Sequence, residues 1–196
     1  YLHLLDPGEQ AELCRDWIEA NPPGETVGWH PYPTALRLVN WCRAGRDEPD
    51  VAESLFTQAA HLFRTIETEV GGNHLLENAR ALILAGRFLG GRGEARRWIR
   101  HGLDLYREEL EEQVLSDGVH YERSPMYHAL VLEGILDVLN VLPADQSGRE
   151  RLEDAAGAMA DALAGMVHPD GAIALFNDAT IEIEPPADRL LEDARW

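Results

Sequence analysis

Between residues 116 and 128 the chain reads Ser-Asp-Gly-Val-His-Tyr-Glu-Arg-Ser-Pro-Met-Tyr-His, grouping two tyrosines, two histidines, an arginine and two acids around a helix start. Ser124 before Pro125 reads as N-cap and first helical residue, because proline lacks the N–H that a first turn leaves unpaired. Tyr127 and His128 then project from the opening turn, where free N–H groups and the helix dipole favour an anion. A phenol and an imidazole at that end suit acid–base chemistry on a carboxylate-bearing substrate. Arg123 and His128 would lower the phenol pKa from about 10, as a catalytic tyrosine requires. Arg123 can equally pair with Glu122, and Asp117-Gly118 is a turn signature that needs no further role. His120 and Tyr121 alternate with Val119, and they either face a ligand or simply line the loop.

A second group, Gly71-Gly72-Asn73-His74, precedes another helical run. Asn73 is either an N-cap or an amide donor to a substrate carboxylate. His74 is a second donor, a base, or a structural imidazole. The stretch Trp29-His30-Pro31-Tyr32-Pro33 is an aromatic loop entering a helix that carries Arg37, Asn40 and Trp41. Its rings suit the flat apolar faces of sugars, and equally the anchoring of a core. Arg92, Arg96, Arg97 and Arg100 read as a solvated face interleaved with Glu94. No histidine pair has i, i+4 spacing and no CxxC or HExxH occurs, so neither metal nor cofactor is expected.

These residues need elements to position them, and helical periodicity dominates the chain. Apolar residues at i, i+3, i+4 and i+7 predict helices over residues 8–20, 32–44, 51–68, 73–89, 94–115, 124–142 and 149–167. The breaks between them are rich in Gly, Pro, Asn and Asp, as at Asn21-Pro22-Pro23-Gly24 and Pro169-Asp170-Gly171. Strand-like patterning is confined to residues 172–176 and 180–183. The expected class is all-α, with helical hairpins stacked as a solenoid or closed into an α/α toroid, and a short β-like C-terminal tail. Alternate helices then run parallel, which brings four loops to one rim: residues 29–32, 71–74, 116–128 and 168–178. His30, His74, His120, His128 and His168 lie in these loops, with His3 counted as a sixth of the eight histidines.

Composition narrows the function classes. The 196 residues suit one domain with a good-sized core. A net charge of −18 argues against nucleic acid as a partner. Screening over about 10 Å still lets a locally cationic cleft survive on an acidic protein. No apolar run approaches the roughly 18–20 residues that span a bilayer. Cys14 and Cys42 fall on apolar helix faces and read as buried thiols rather than a disulfide. The chain begins at Tyr1 and is read as a piece of a longer protein.

Taken together, Gly72-Asn73-His74 with Glu77-Asn78, the segment from Ser116 to His128, and His168-Pro169-Asp170-Gly171 with Phe176-Asn177-Asp178 resemble the heparinase II/III-like polysaccharide lyases. The pattern of Trp29, Tyr32, Arg37, Asn40 and Trp41 is similar to an earlier helix motif of that family. The resemblance implies a partial α/α toroid over residues 1–171, with residues 172–196 beginning the connection to a β-sandwich domain of the parent chain. It implies β-elimination on a uronic-acid polysaccharide of glycosaminoglycan or alginate-like type, in a periplasmic or secreted setting. Asn73 matches the family's carboxylate-neutralising asparagine, His74 its neighbouring site histidine, and Tyr127 its catalytic tyrosine. His30, Tyr32, His120, Tyr121, Arg123, His128 and Asn177 are the expected substrate contacts. A further catalytic residue that the family draws from the β-sandwich has no counterpart here. The isolated chain is therefore expected to turn over little and to self-associate through an uncovered edge. A glycoside hydrolase, using two of Asp117, Glu122, Asp170 and Asp178, and a non-catalytic sugar-binding helical module are the competing readings.

Overall fold

The computed structural model describes residue 2 and residues 5–91, 93–181, 183 and 185–195. His3 and Arg92, both named above, lie outside the described residues. The elements in order are α1 (Pro7–Ala20), a 3-10 turn (Val27–Trp29), α2 (Pro31–Arg43), α3 (Pro49–Leu62), α4 (Gly72–Leu89), α5 (Gly93–Gln113), α6 (Pro125–Val141), α7 (Arg149–Ala164) and α8 (Ala187–Asp193). Proline opens α1, α2, α3 and α6, where its fixed φ suits a helix and its missing N–H costs nothing. Asp6 completes a capping box on α1, accepting from the Gly8 and Glu9 N–H groups while Glu9 accepts from its own.

Two expectations of the sequence are corrected. α3 stops at Leu62, well short of residue 68. The β-branched Thr65, Ile66 and Thr68 favour helix weakly, and the Glu67 N–H is taken by the Asn78 side chain at 3.1 Å instead of a helical carbonyl. The strand-like stretches form no strand among the described residues. Ile173 makes only an isolated bridge with Val167, and the tail ends in α8, which no periodicity announced. Alternation alone does not hold a strand that has no partner edge.

The chain divides into two compact units, Tyr1–Leu105 and Tyr106–Trp196, and the boundary falls within α5. In the first unit α4 packs on α2 and α3, and its stretch from Leu75 to Gly86 is buried apart from Glu77. α5 approaches α4 so closely that a Cβ on Gly102 would sit 2.9 Å from the Ala79 carbonyl oxygen. Cys14 and Cys42 are free thiols, as expected, and burial pushes their pKa values up to about 11 and about 12. In the second unit α6 packs on α7, and α8 covers both through Ala187 and Leu190. No described helix is long and apolar enough to cross a membrane.

Candidate active site

In the first unit the expected site residues gather at the start of α4. The N-cap is Gly71, with φ +67°, a conformation that favours glycine and leaves no side chain to cap the turn. Asn73 is therefore the second helical residue rather than the cap. Its half-buried side-chain amide has no hydrogen-bond partner among the described residues. His74 stacks on Tyr32, with ring centroids 4.1 Å apart and planes at 16°, so residues 29–32 and 71–74 do meet. The His74 Nδ1 lies 3.3 Å from a Glu67 carboxylate oxygen. A carboxylate only accepts, so Nδ1 carries the hydrogen and Nε2 is the nitrogen left to act. His30 is exposed at the N-cap of α2.

The aromatic loop is otherwise a core feature. Trp29 and Trp41 are 4% and 6% exposed, which settles their role as anchors rather than sugar platforms. Trp17 bridges them, with Trp29 at 5.9 Å and Trp41 at 5.8 Å. Arg37 lies 3.6 Å over the Trp17 ring and donates to Gln58 and to the Gly28 carbonyl. Burial holds its guanidinium pKa down to about 10.

In the second unit the chain leaving α5 turns back on itself before α6. The Leu115 N–H donates to the Val119 carbonyl and the Tyr121 N–H to the Gln113 carbonyl. Gly118 at φ +79° makes the turn possible, since a Cβ there would lie 2.3 Å from the Ala158 carbonyl oxygen. Ser124 is the N-cap of α6, as expected, although its buried hydroxyl makes no cap bond.

His120 and His128, expected as substrate contacts, are both 0% exposed and serve the fold instead. The His120 backbone N–H donates to His128 Nδ1 at 3.2 Å, which requires that nitrogen to be unprotonated. His128 Nε2 therefore carries the hydrogen and donates to the Met159 carbonyl at 2.8 Å. Burial lowers its pKa, with partial opposition from the Met159 bond. A neutral His128 brings no positive charge to the start of α6, contrary to the role expected for it beside Tyr127. His120 Nε2 pairs with the Gln113 side chain at 3.0 Å, while burial, then His128, pull its pKa down to about 4.

Asn177 is an exposed strap. Its Nδ2 donates to the Glu122 and Arg123 carbonyls at 3.0 and 2.9 Å, joining residues 168–178 to residues 116–128. Arg123 and Asn177 share a left-handed φ of 53°, a conformation that costs a non-glycine residue about 1–2 kcal/mol. Arg123 is exposed, and its guanidinium has no partner among the described residues, so the alternative pairing with Glu122 does not form. Tyr121 is 38% exposed with its ring edge-on to His120. Its phenol pKa is raised by burial, then by Glu122, Glu109 and Glu112. Tyr127 is half-buried at the third position of α6, and its hydroxyl has no partner among the described residues.

Residues 50–189 match the family described as Heparinase II/III N-terminus. The chain belongs to this family. A heparin-sulfate lyase of Bacteroides thetaiotaomicron is 26% identical, over 69% of this chain and 21% of that protein. One of Bacteroides stercoris is 37% identical, over 36% of this chain and 10% of that protein. The chain thus spans about a fifth or less of the length of these curated relatives. Among solved structures, heparinase III superposes with a TM-score of 0.73 at 20% identity, over 93% of this chain and 31% of that one. A heparan sulfate lyase of Pedobacter heparinus gives 0.61 at 20% identity, over 95% of this chain and 35% of that one. These likenesses show the fold, the partial α/α toroid that the motifs implied.

For this member of the heparinase II/III family, the sequence missed most of the residues that hold the site, Asn78 of the Glu77-Asn78 motif excepted. Glu67, Asn78, Gln113 and the Met159 carbonyl orient the candidate histidines and the loop before α4. Gln113 had a legible signal. It follows Tyr106 and Leu110 on the apolar stripe of α5, a buried position where an uncharged amide needs a partner.

Proposed function

We propose that this chain is the helical part of a lyase that cleaves a uronic-acid-containing glycosaminoglycan by β-elimination. Family membership and the heparin-sulfate lyases among the relatives support the substrate class. Within the chain, the observation that carries the reading is the uncommitted Asn73 amide, in the first turn of α4 beside the stacked His74.

The proton at C5 of a uronate is barely acidic while the adjacent carboxylate keeps its full charge. Hydrogen bonds from Asn73 and from His74 Nε2 would draw that charge off as it spreads over the carboxylate in the transition state. Removal of the proton leaves an electron pair that becomes the C4–C5 double bond as the C4–O bond breaks. Tyr127 donates a proton to the departing oxygen, and in a syn course its phenolate takes the C5 proton first. This reading requires Asn73 and Tyr127 to face one bound uronate. Exposed Arg123 and Tyr121 serve as substrate contacts from the loop before α6, and His30 and Tyr32 from the loop before α2. Residues beyond 171 lead to a β-sandwich that supplies the remaining catalytic group, in a secreted or periplasmic protein; the motif resemblance supports both.

The test is product absorbance from the full-length parent acting on a panel of uronate polysaccharides. A lyase generates an unsaturated, UV-absorbing uronate. New reducing ends without that absorbance would identify a hydrolase instead, and neither product would leave a binding module.

A further inference from the structure

The cationic face of α5 takes no part in that chemistry. Arg97, Arg100, His101 and Asp104 recur at i, i+3, i+4 and i+7 and so share one side of the helix. With Phe63, the C-cap residue of α3, they line a surface groove of about 430 Å³. That size lies within the roughly 300–1,000 Å³ of ordinary ligand sites. Arg96, Arg97 and Arg100 are exposed, the solvated face that the sequence suggests. Among the described residues neither Arg97 nor Arg100 has a carboxylate partner, although the protein carries a net charge of −18. Asp104 is the acid that lines the groove.

Phe63 organises the cations. The Arg97 guanidinium lies over its ring, 5.6 Å from the centroid, and the His101 imidazole meets it edge-on at 5.4 Å and 82°. A guanidinium held this way has lost part of its rotamer freedom before any ligand arrives, and its planar fork matches a carboxylate or sulfo group in two hydrogen bonds. Arg100, one turn further on, offers a second fork. Arg97 and Arg100 are exposed and have no carboxylate partner among the described residues, so both forks are open to an anion from solution.

We propose that this groove binds the sulfo or carboxylate groups of an acidic glycan, as an attachment site separate from the residues assigned to elimination. The oxyanion chemistry follows from the groove itself; naming a glycan as its source rests on the lyase reading above. A polymer held at such a site stays at high effective concentration near the protein after each cleavage.

The test uses the full-length protein and its R97Q/R100Q variant, with a sulfated octasaccharide and inorganic sulfate as probes in low-salt calorimetry. His101 imidazole signals are followed by NMR in parallel. The variant should bind the octasaccharide roughly fivefold or more weakly, as expected for losing two charge-assisted contacts. Its melting temperature and its turnover of a minimal-length substrate should not change. Octasaccharide should shift the His101 signals in the parent and not in the variant, and D104N should bind more tightly than the parent. Equal octasaccharide affinity in parent and R97Q/R100Q overturns the proposal. So does a groove that answers inorganic sulfate alone, which would be a free-anion site. If no unsaturated product forms while the affinity difference persists, the lyase reading fails and the groove stands.

Discussion

The loop entering α4 and the loop entering α6 carry similar residue types and use them in opposite ways. Before α4 the hydrogen-bonding capacity is left over: Asn73 has no partner among the described residues, and His74 commits one nitrogen to Glu67. Before α6 it is spent on the fold. His120, His128 and Asn177 tie the loop to α5, to α7 and to residues 168–178, so Tyr127, Tyr121 and Arg123 are the side chains left to act. A dense run of polar and aromatic residues is therefore not a dense site. The richer motif builds a rigid mount for a few groups, and the poorer one presents nearly all it has.

The sharpest test of this contrast is paired substitution in the full-length protein. Tyr127→Phe keeps the ring and should lower kcat by about 10²–10⁴, the usual worth of a general acid or base. Asn73→Ala should cost about 10²–10³, the worth of one charge-stabilising donor. Because Gly71 and not Asn73 caps α4, neither change should move the melting temperature by more than a degree or two. Near-normal turnover in Tyr127→Phe would reduce Tyr127 to a packing residue.

His128 should behave in the reverse manner. His128→Leu strands the His120 N–H and the Met159 carbonyl, each costing about 1–3 kcal/mol when buried and unpaired. Urea denaturation should show a loss of several kcal/mol from the second unit, while the folded fraction keeps its affinity for substrate. A variant as stable as the parent but unable to bind would return His128 to the site.

The smallest expected effect is a pH dependence. His120 has a pKa of about 4 in the fold against about 6.5 unfolded, so the unfolded chain binds a proton more readily. Its contribution is fully present above pH 6.5 and is lost progressively as pH falls towards 4, up to about 3 kcal/mol. His128, also depressed, adds to the loss in the same direction. Chemical denaturation between pH 7 and 4 should show this slope, and His120→Gln should flatten it. An unchanged slope would mean that the imidazole is not buried neutral.

The sequence by itself determined the helices and their starts. Apolar spacing and first-position prolines are local signals, so α1 to α7 were legible to within a few residues at most ends. It also determined the turn at Asp117-Gly118, because a left-handed glycine can be inferred from two residues. What it could not show was which histidine is buried, since His74, His120 and His128 occupy equally polar contexts in the chain. That was decided by contacts distant in sequence: Met159 for His128, Gln113 for His120, Glu67 and Tyr32 for His74. The early end of α3 and the addition of α8 are likewise tertiary, set by the Asn78 amide and by the packing of Ala187 and Leu190. A hydrogen bond fixes a side chain only once both partners are placed. The pattern of a chain therefore announces its elements, while only the folded structure decides which of their polar groups remain free to act.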